Sequence, residues 1–167
     1  MNPTLRGHRS VSALDPELLQ EFQNECRGLL KELTTVVEAL EEVQATDPFP
    51  AQLLSDFAQR IDRIMGAAET FEMMDPGNPG LTQIGKLCRI CKILGNQASQ
   101  KAQAKLTPLF AAFWADTLEI LEELVDNLTP TDKGVVWTQY IPVLQKRLEW
   151  LASHVGIDPG ALSGSFN

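Results

Sequence analysis

Apolar residues return at steps of three and four in five successive stretches of this chain, and the polar residues between them fall on the opposite side of a helical wheel. The first stretch begins at Asp15, a side chain suited to cap a helix. Pro16 at the first helical position and Glu17 in the first turn match a helix start. Leu18, Phe22, Cys26, Leu29, Leu33, Val36 or Val37 and Leu40 form its stripe, so the pattern predicts a helix to about Val43. Two prolines in ATDPFP, residues 45–50, forbid its continuation. The second stretch covers 53–71 and ends near Met74. Leu54, Phe57, Ile61, Ile64, Ala68 and Phe71 lie on its inner side, with Ser55, Gln59, Asp62, Arg63, Gly66 and Glu69 outside.

DPGNPG, residues 75–80, is a dense turn signal. Leu81, Ile84, Leu87, Cys88, Cys91, Leu94 and Ala98 then mark a third helix to about Gln100, in which Gly85 and Gly95 either weaken the helix or admit a close neighbour. The fourth, 106–128, is the most apolar and carries Pro108 in its first turn. Thr131 or Asp132 can cap a fifth, marked by Val135, Val136, Tyr140, Val143, Leu144, Leu148, Leu151 and Val155, with Pro142 as a kink. No stretch alternates with period two and the connectors are short. The expectation is an all-α fold, an antiparallel four-helix bundle with an additional fifth helix. It covers residues 15–156, between an N-terminal tail, 1–14, and a C-terminal tail, 157–167.

Composition narrows the partners. At 167 residues the chain is one domain on length, and its 44% hydrophobic and 22% charged content is that of a globular protein. A net charge of −8 counts against nucleic acid and anionic membranes, both of which need a basic face. A protein partner is expected. No apolar run reaches membrane-spanning length, the N-terminus lacks the apolar core of a secretion signal, and three cysteines fit a reducing compartment, so the expected location is cytoplasmic.

Gly66 is the odd residue of the second helix. A mid-helix glycine costs about 0.8–1 kcal/mol relative to alanine, and on the solvent face the chain's own packing does not account for it. Around it the order Asp62, Arg63, Ile64, Met65, Gly66, Ala67, Ala68, Glu69, Thr70, Phe71 resembles the phosphate-accepting helix of histidine-containing phosphotransfer (HPt) domains, closest to that of chemotaxis histidine kinases, H-x-x-K-G-x-A-x-x-F/L. In that alignment Asp62 stands where the phosphorylated histidine belongs and Met65 where the lysine belongs. A lone carboxylate without Mg²⁺ cannot replace an imidazole as phosphoryl acceptor. His8 and His154 lie elsewhere.

The resemblance, over roughly residues 15–153, therefore implies a pseudo-phosphotransfer domain with no catalytic residue, cofactor or metal. It implies docking of a response-regulator receiver or a histidine-kinase domain, as adaptor, competitor or inhibitor. Ala58 and Met65 would supply apolar contact, Gln59, Arg63 and Glu69 a polar rim, Gly66 clearance and Asp62 a fixed negative charge.

Other residues admit a functional and a plainer reading. Cys88 and Cys91 have the C-x-x-C spacing of redox or zinc sites, but within an amphipathic helix they are small core side chains, with Cys26 on another helix. Glu21 and Asn24 resemble the acid-plus-amide pair of some chemotaxis phosphatases, which makes an enzyme acting on a phosphorylated response regulator one alternative; a solvated helix face is the plainer account. Phe110, Phe113, Trp114, Trp137 and Trp150 could line a cleft or pack helices, and Trp150, beside Arg147 and Glu149, is the one placed for exposure. Glu38, Glu41 and Glu42 read as a solvated helix end. A helical assembly protein unrelated to phosphorelay is the other alternative.

Overall fold

The computed structural model describes residues 15–130 and 135–158, and of 135–137 only the backbone. Both predicted tails up to residue 14 and from 159, the caps at Thr131 and Asp132, and the side chains of Val135, Val136 and Trp137 lie outside the described residues. Among the described residues there are five α-helices and no strand: α1 Pro16–Glu41, α2 Ala51–Met74, α3 Pro79–Lys101, α4 Thr107–Asp126 and α5 Val135–Val155. A 3-10 turn, Ala104–Leu106, leads into α4. α1 packs against α2 and α4, and α3 against α2 and α4, an arrangement compatible with a four-helix bundle. α5 packs on α4.

The helix starts follow from local chemistry. Asp15 accepts a hydrogen bond from the Glu17 amide at 2.8 Å, which satisfies an otherwise orphan donor of α1. Asn78 caps α3 by accepting from the amides of Gly80 and Leu81. Its side-chain amide donates to Asp75 Oδ2 at 2.8 Å and to the Thr129 carbonyl at 3.0 Å. Asp75 and Asn78 are both buried, so the turn between α2 and α3 is fastened to the chain beyond α4. At the other end of the chain, Gly156 adopts φ +75° and the Ile157 amide donates to the Ala152 carbonyl, a turn that lets a helix stop. Ile157 is buried, so the core extends one residue past the expected boundary at 156.

The core follows the predicted stripes with two corrections. Leu18 is 40% exposed and Leu19 is buried in its place. Leu30 and Val37, also buried, lie on the same flank of α1 as Leu19, so the inner face is turned toward them and Leu18 falls past its edge. Val143 is 44% exposed, because α5 presses one narrow stripe, Leu144, Leu148, Leu151, Ala152 and Val155, against α4, and Val143 projects from the other side. The aromatic residues of α4 belong to the core. Trp114 stacks on Phe57 of α2 with ring centroids 4.2 Å apart, and Phe110 lies 5.9 Å from Trp114. Gly85 and Gly95 are buried but admit no unusually close neighbour. A Cβ at Gly85 would meet nothing within 4 Å, and one at Gly95 would rest 4.0 Å from Trp114 Cζ2, an ordinary contact.

Candidate functional site

The inner stripe of α2, buried from Leu54 to Ala68, fixes what the helix turns outward. Gly66 and Gln59 occupy the crest, two turns apart and both exposed. A Cβ built at Gly66 would meet nothing within 4 Å. The space above the crest is open, and no part of the described chain uses it.

To either side of the crest the charges pair with neighbouring helices. Asp62 Oδ1 lies 2.8 Å from Lys92 Nζ of α3, and Glu69 pairs with Arg89 of α3 at 3.4 Å. Arg63 reaches Glu25 of α1 at 3.3 Å, and Arg60 reaches Glu32 of α1 at 3.0 Å. Ala58 and Met65 are half-buried on the α3 side, where Met65 also packs against the core. The structure thus brings Ala58, Gln59, Asp62, Arg63, Met65, Gly66 and Glu69 onto one helix surface. Their surroundings differ from a free ring of contacts: the apolar pair is sunk at one seam, and the charges are already engaged.

Chemically this face offers no nucleophile of the phosphotransfer kind. His154, the histidine within the described residues, is on α5 and is stacked on Trp150. The Asp62 carboxylate has an ammonium beside it, so its charge is offset before any partner arrives. Lys92 was not legible as a member of the site, because nothing in a linear sequence says which residue of α3 faces which residue of α2.

The alternative sites resolve in several ways. Glu21 and Asn24 are exposed on α1, but the Asn24 carbonyl oxygen accepts from Arg27 Nη1 at 3.2 Å, and Arg27 is itself paired to Asp126 at 2.8 Å. That amide is held by its own helix rather than held out to orient water. Cys26, Cys88 and Cys91 are buried free thiols. Burial pushes the Cys91 thiol up to about 12; burial, with the Glu25 charge adding, does the same for Cys26, and Cys88 is raised well above the ordinary thiol value chiefly by burial. Such thiols are poor nucleophiles and poor metal ligands. No group of three or more His, Cys, Asp or Glu side chains among the described residues is placed to hold a metal ion. No helix among them is long and apolar enough to cross a membrane.

No family model matches this chain, and no curated protein or solved structure matches it either. The surface itself must carry the functional reading.

A second surface feature has no place in the α2 site. Between α4 and α5 runs a groove of about 400 Å³, walled by Leu109, Phe113, Trp150 and Leu151 and rimmed by Lys146 and Arg147. Trp150 is 50% exposed, as its charged neighbours suggested. Its ring stacks on His154 with centroids 3.9 Å apart. His154 Nδ1 donates to the Trp150 carbonyl at 2.7 Å, since a carbonyl can only accept.

Proposed function

We propose that this chain is a non-catalytic, HPt-like interaction domain of two-component signalling. It is an antiparallel four-helix bundle with an appended α5, working in the cytoplasm, and it binds a receiver or histidine-kinase domain as adaptor, competitor or inhibitor. The order of elements supports this, as does the sequence from Asp62 to Phe71. The observation that carries most weight is Gly66: a residue unfavourable in mid-helix, exposed on the crest of α2, with open space where a side chain would stand. A partner whose surface must approach the helix backbone gives that vacancy a use. Asp62 serves as part of the contact surface and not as a copy of a phosphorylated histidine, because it carries one charge where a phosphoryl group carries nearly two, and Lys92 offsets it.

The test is calorimetric titration of the purified protein with receiver and kinase domains from the same cells. The Gly66→Arg variant should keep its circular dichroism, since the position is open, and lose affinity at least tenfold. Undiminished binding by that variant, or no binding to any such domain, overturns the reading. Faster dephosphorylation of a phosphorylated receiver, abolished in Asn24→Ala, would replace it with an enzymatic one.

A further inference from the structure

The groove between α4 and α5 has the composition of a binding anchor site. Its walls are apolar, a half-exposed tryptophan stands at its edge, and cations mark its rim. Along α5 the outward residues Val143, Lys146, Arg147 and Trp150 fall at i, i+3, i+4 and i+7, a track of two turns and ~10 Å. Leu109 and Phe113 of α4 run beside it. Val143 and Trp150, 44% and 50% exposed, stand two turns apart with the two cations between them, a spacing that fits the i and i+7 side chains of an amphipathic helix.

Charge selects among such helices. Arg147 is paired to Asp116 across the groove, whereas Lys146 has no acidic partner among the described residues. Among the described residues the rim therefore carries an uncompensated positive charge, in a chain of net charge −8. Further along α4, Glu123 accepts a hydrogen bond from Tyr140 of α5, which places an acid beyond the Val143 end of the track and confines a negatively charged partner to the Lys146 end.

We propose that this groove binds an amphipathic helix of a partner protein, its apolar residues seated against Trp150, Leu109 and Phe113 and a carboxylate beside them on Lys146. This site is distinct from the α2 crest and does not depend on what binds there.

The probe is a pair of labelled helical peptides of about 14 residues with leucines at the i, i+3, i+7 positions, flanked in one by glutamates and in the other by lysines. Binding to the full chain is followed by fluorescence anisotropy at low salt. The net charge of the whole molecule favours the lysine peptide, so the two expectations oppose each other. The glutamate peptide should bind at least tenfold more tightly, Lys146→Glu should reverse the preference, and Trp150→Ser should remove binding of both. Gly66→Arg should change nothing. Equal or tighter binding of the lysine peptide, binding that survives Trp150→Ser, or self-association through Trp150 that excludes both peptides would each overturn the proposal. Both substituted residues are exposed, so unchanged circular dichroism keeps these outcomes readable.

Discussion

The crest of α2 and the groove of α4 and α5 are built in opposite ways. On α2 the charged residues are engaged in ion pairs with α1 and α3, the apolar residues are half sunk, and what is left for a partner is an open space above Gly66. In the groove Trp150 is half-exposed and Lys146 has no acidic partner among the described residues. The first surface offers shape with little uncommitted attraction. The second offers desolvation energy, of the kind that dominates most association. A partner on α2 must therefore win by fit, while a partner in the groove can win by burying Trp150.

Breaking what the two regions share should have the largest effect. Phe57 projects inward from α2 onto Trp114 of α4, beneath both surfaces. Phe57→Ala should cost about 3–5 kcal/mol in urea denaturation, the range for truncating a buried aromatic. Both surfaces should be lost in one cooperative transition followed by circular dichroism. A variant that melts the crest while the groove still binds its peptide would show that the two do not rest on one core.

The next effect acts on the shared core through pH. The buried thiols Cys26 of α1 and Cys88 and Cys91 of α3 lie in the core that supports α2, and their folded values are raised. The folded state holds each thiol neutral, while the unfolded chain ionises it near the ordinary value of 9.0. Above that value the unfolded state binds fewer protons, so stability falls as pH rises. The contribution should be complete below about pH 8.5 and decline from there toward 12, by on the order of 1 kcal/mol per thiol at pH 10. Urea midpoints at pH 8 and pH 10 check this, and replacing the three cysteines by alanine should flatten the slope.

Gly66 supplies a smaller change of the opposite sign. Since a Cβ there meets nothing, Gly66→Ala should stabilise the chain by about 0.8–1 kcal/mol, read as a raised thermal midpoint. A loss of stability would mean that the backbone at Gly66 needs glycine for its own conformation, and the argument for an external partner would fail.

What could be read in advance divides along the same line as the two surfaces. The inner stripe of α2 and the oddness of Gly66 are local properties, set by a 3.6-residue period and by the cost of one residue type, so a linear sequence carries them. Leu18 was misplaced because two adjacent leucines both fit the period, and only the rotation imposed by α2 and α4 decides between them. Val143 was misplaced because the width of the buried stripe depends on how many neighbours α5 has. Lys92 was missed because pairing between helices depends on their axial register. That register is a consequence of core packing and leaves no mark on the spacing of surface residues. The exposure of Trp150 was legible for the converse reason, since charged residues on both sides hold that turn at the surface.

The smallest predicted effect decides whether the crest of α2 is available at all. Asp62 and Lys92 are each about two-fifths exposed, 44% and 41% for their side chains, so solvent screens their attraction. A double-mutant cycle with Asp62→Asn and Lys92→Gln should give a coupling of about 0.2–1 kcal/mol at low salt, vanishing near 1 M salt. A coupling of that size lets an approaching surface draw Asp62 away from Lys92 at little cost, so the pair does not obstruct docking. A coupling well above ~2 kcal/mol, insensitive to salt, would describe a clamp between α2 and α3. The crest would then be a closed surface, and the groove beside Trp150 would be the better candidate for the working face of this molecule.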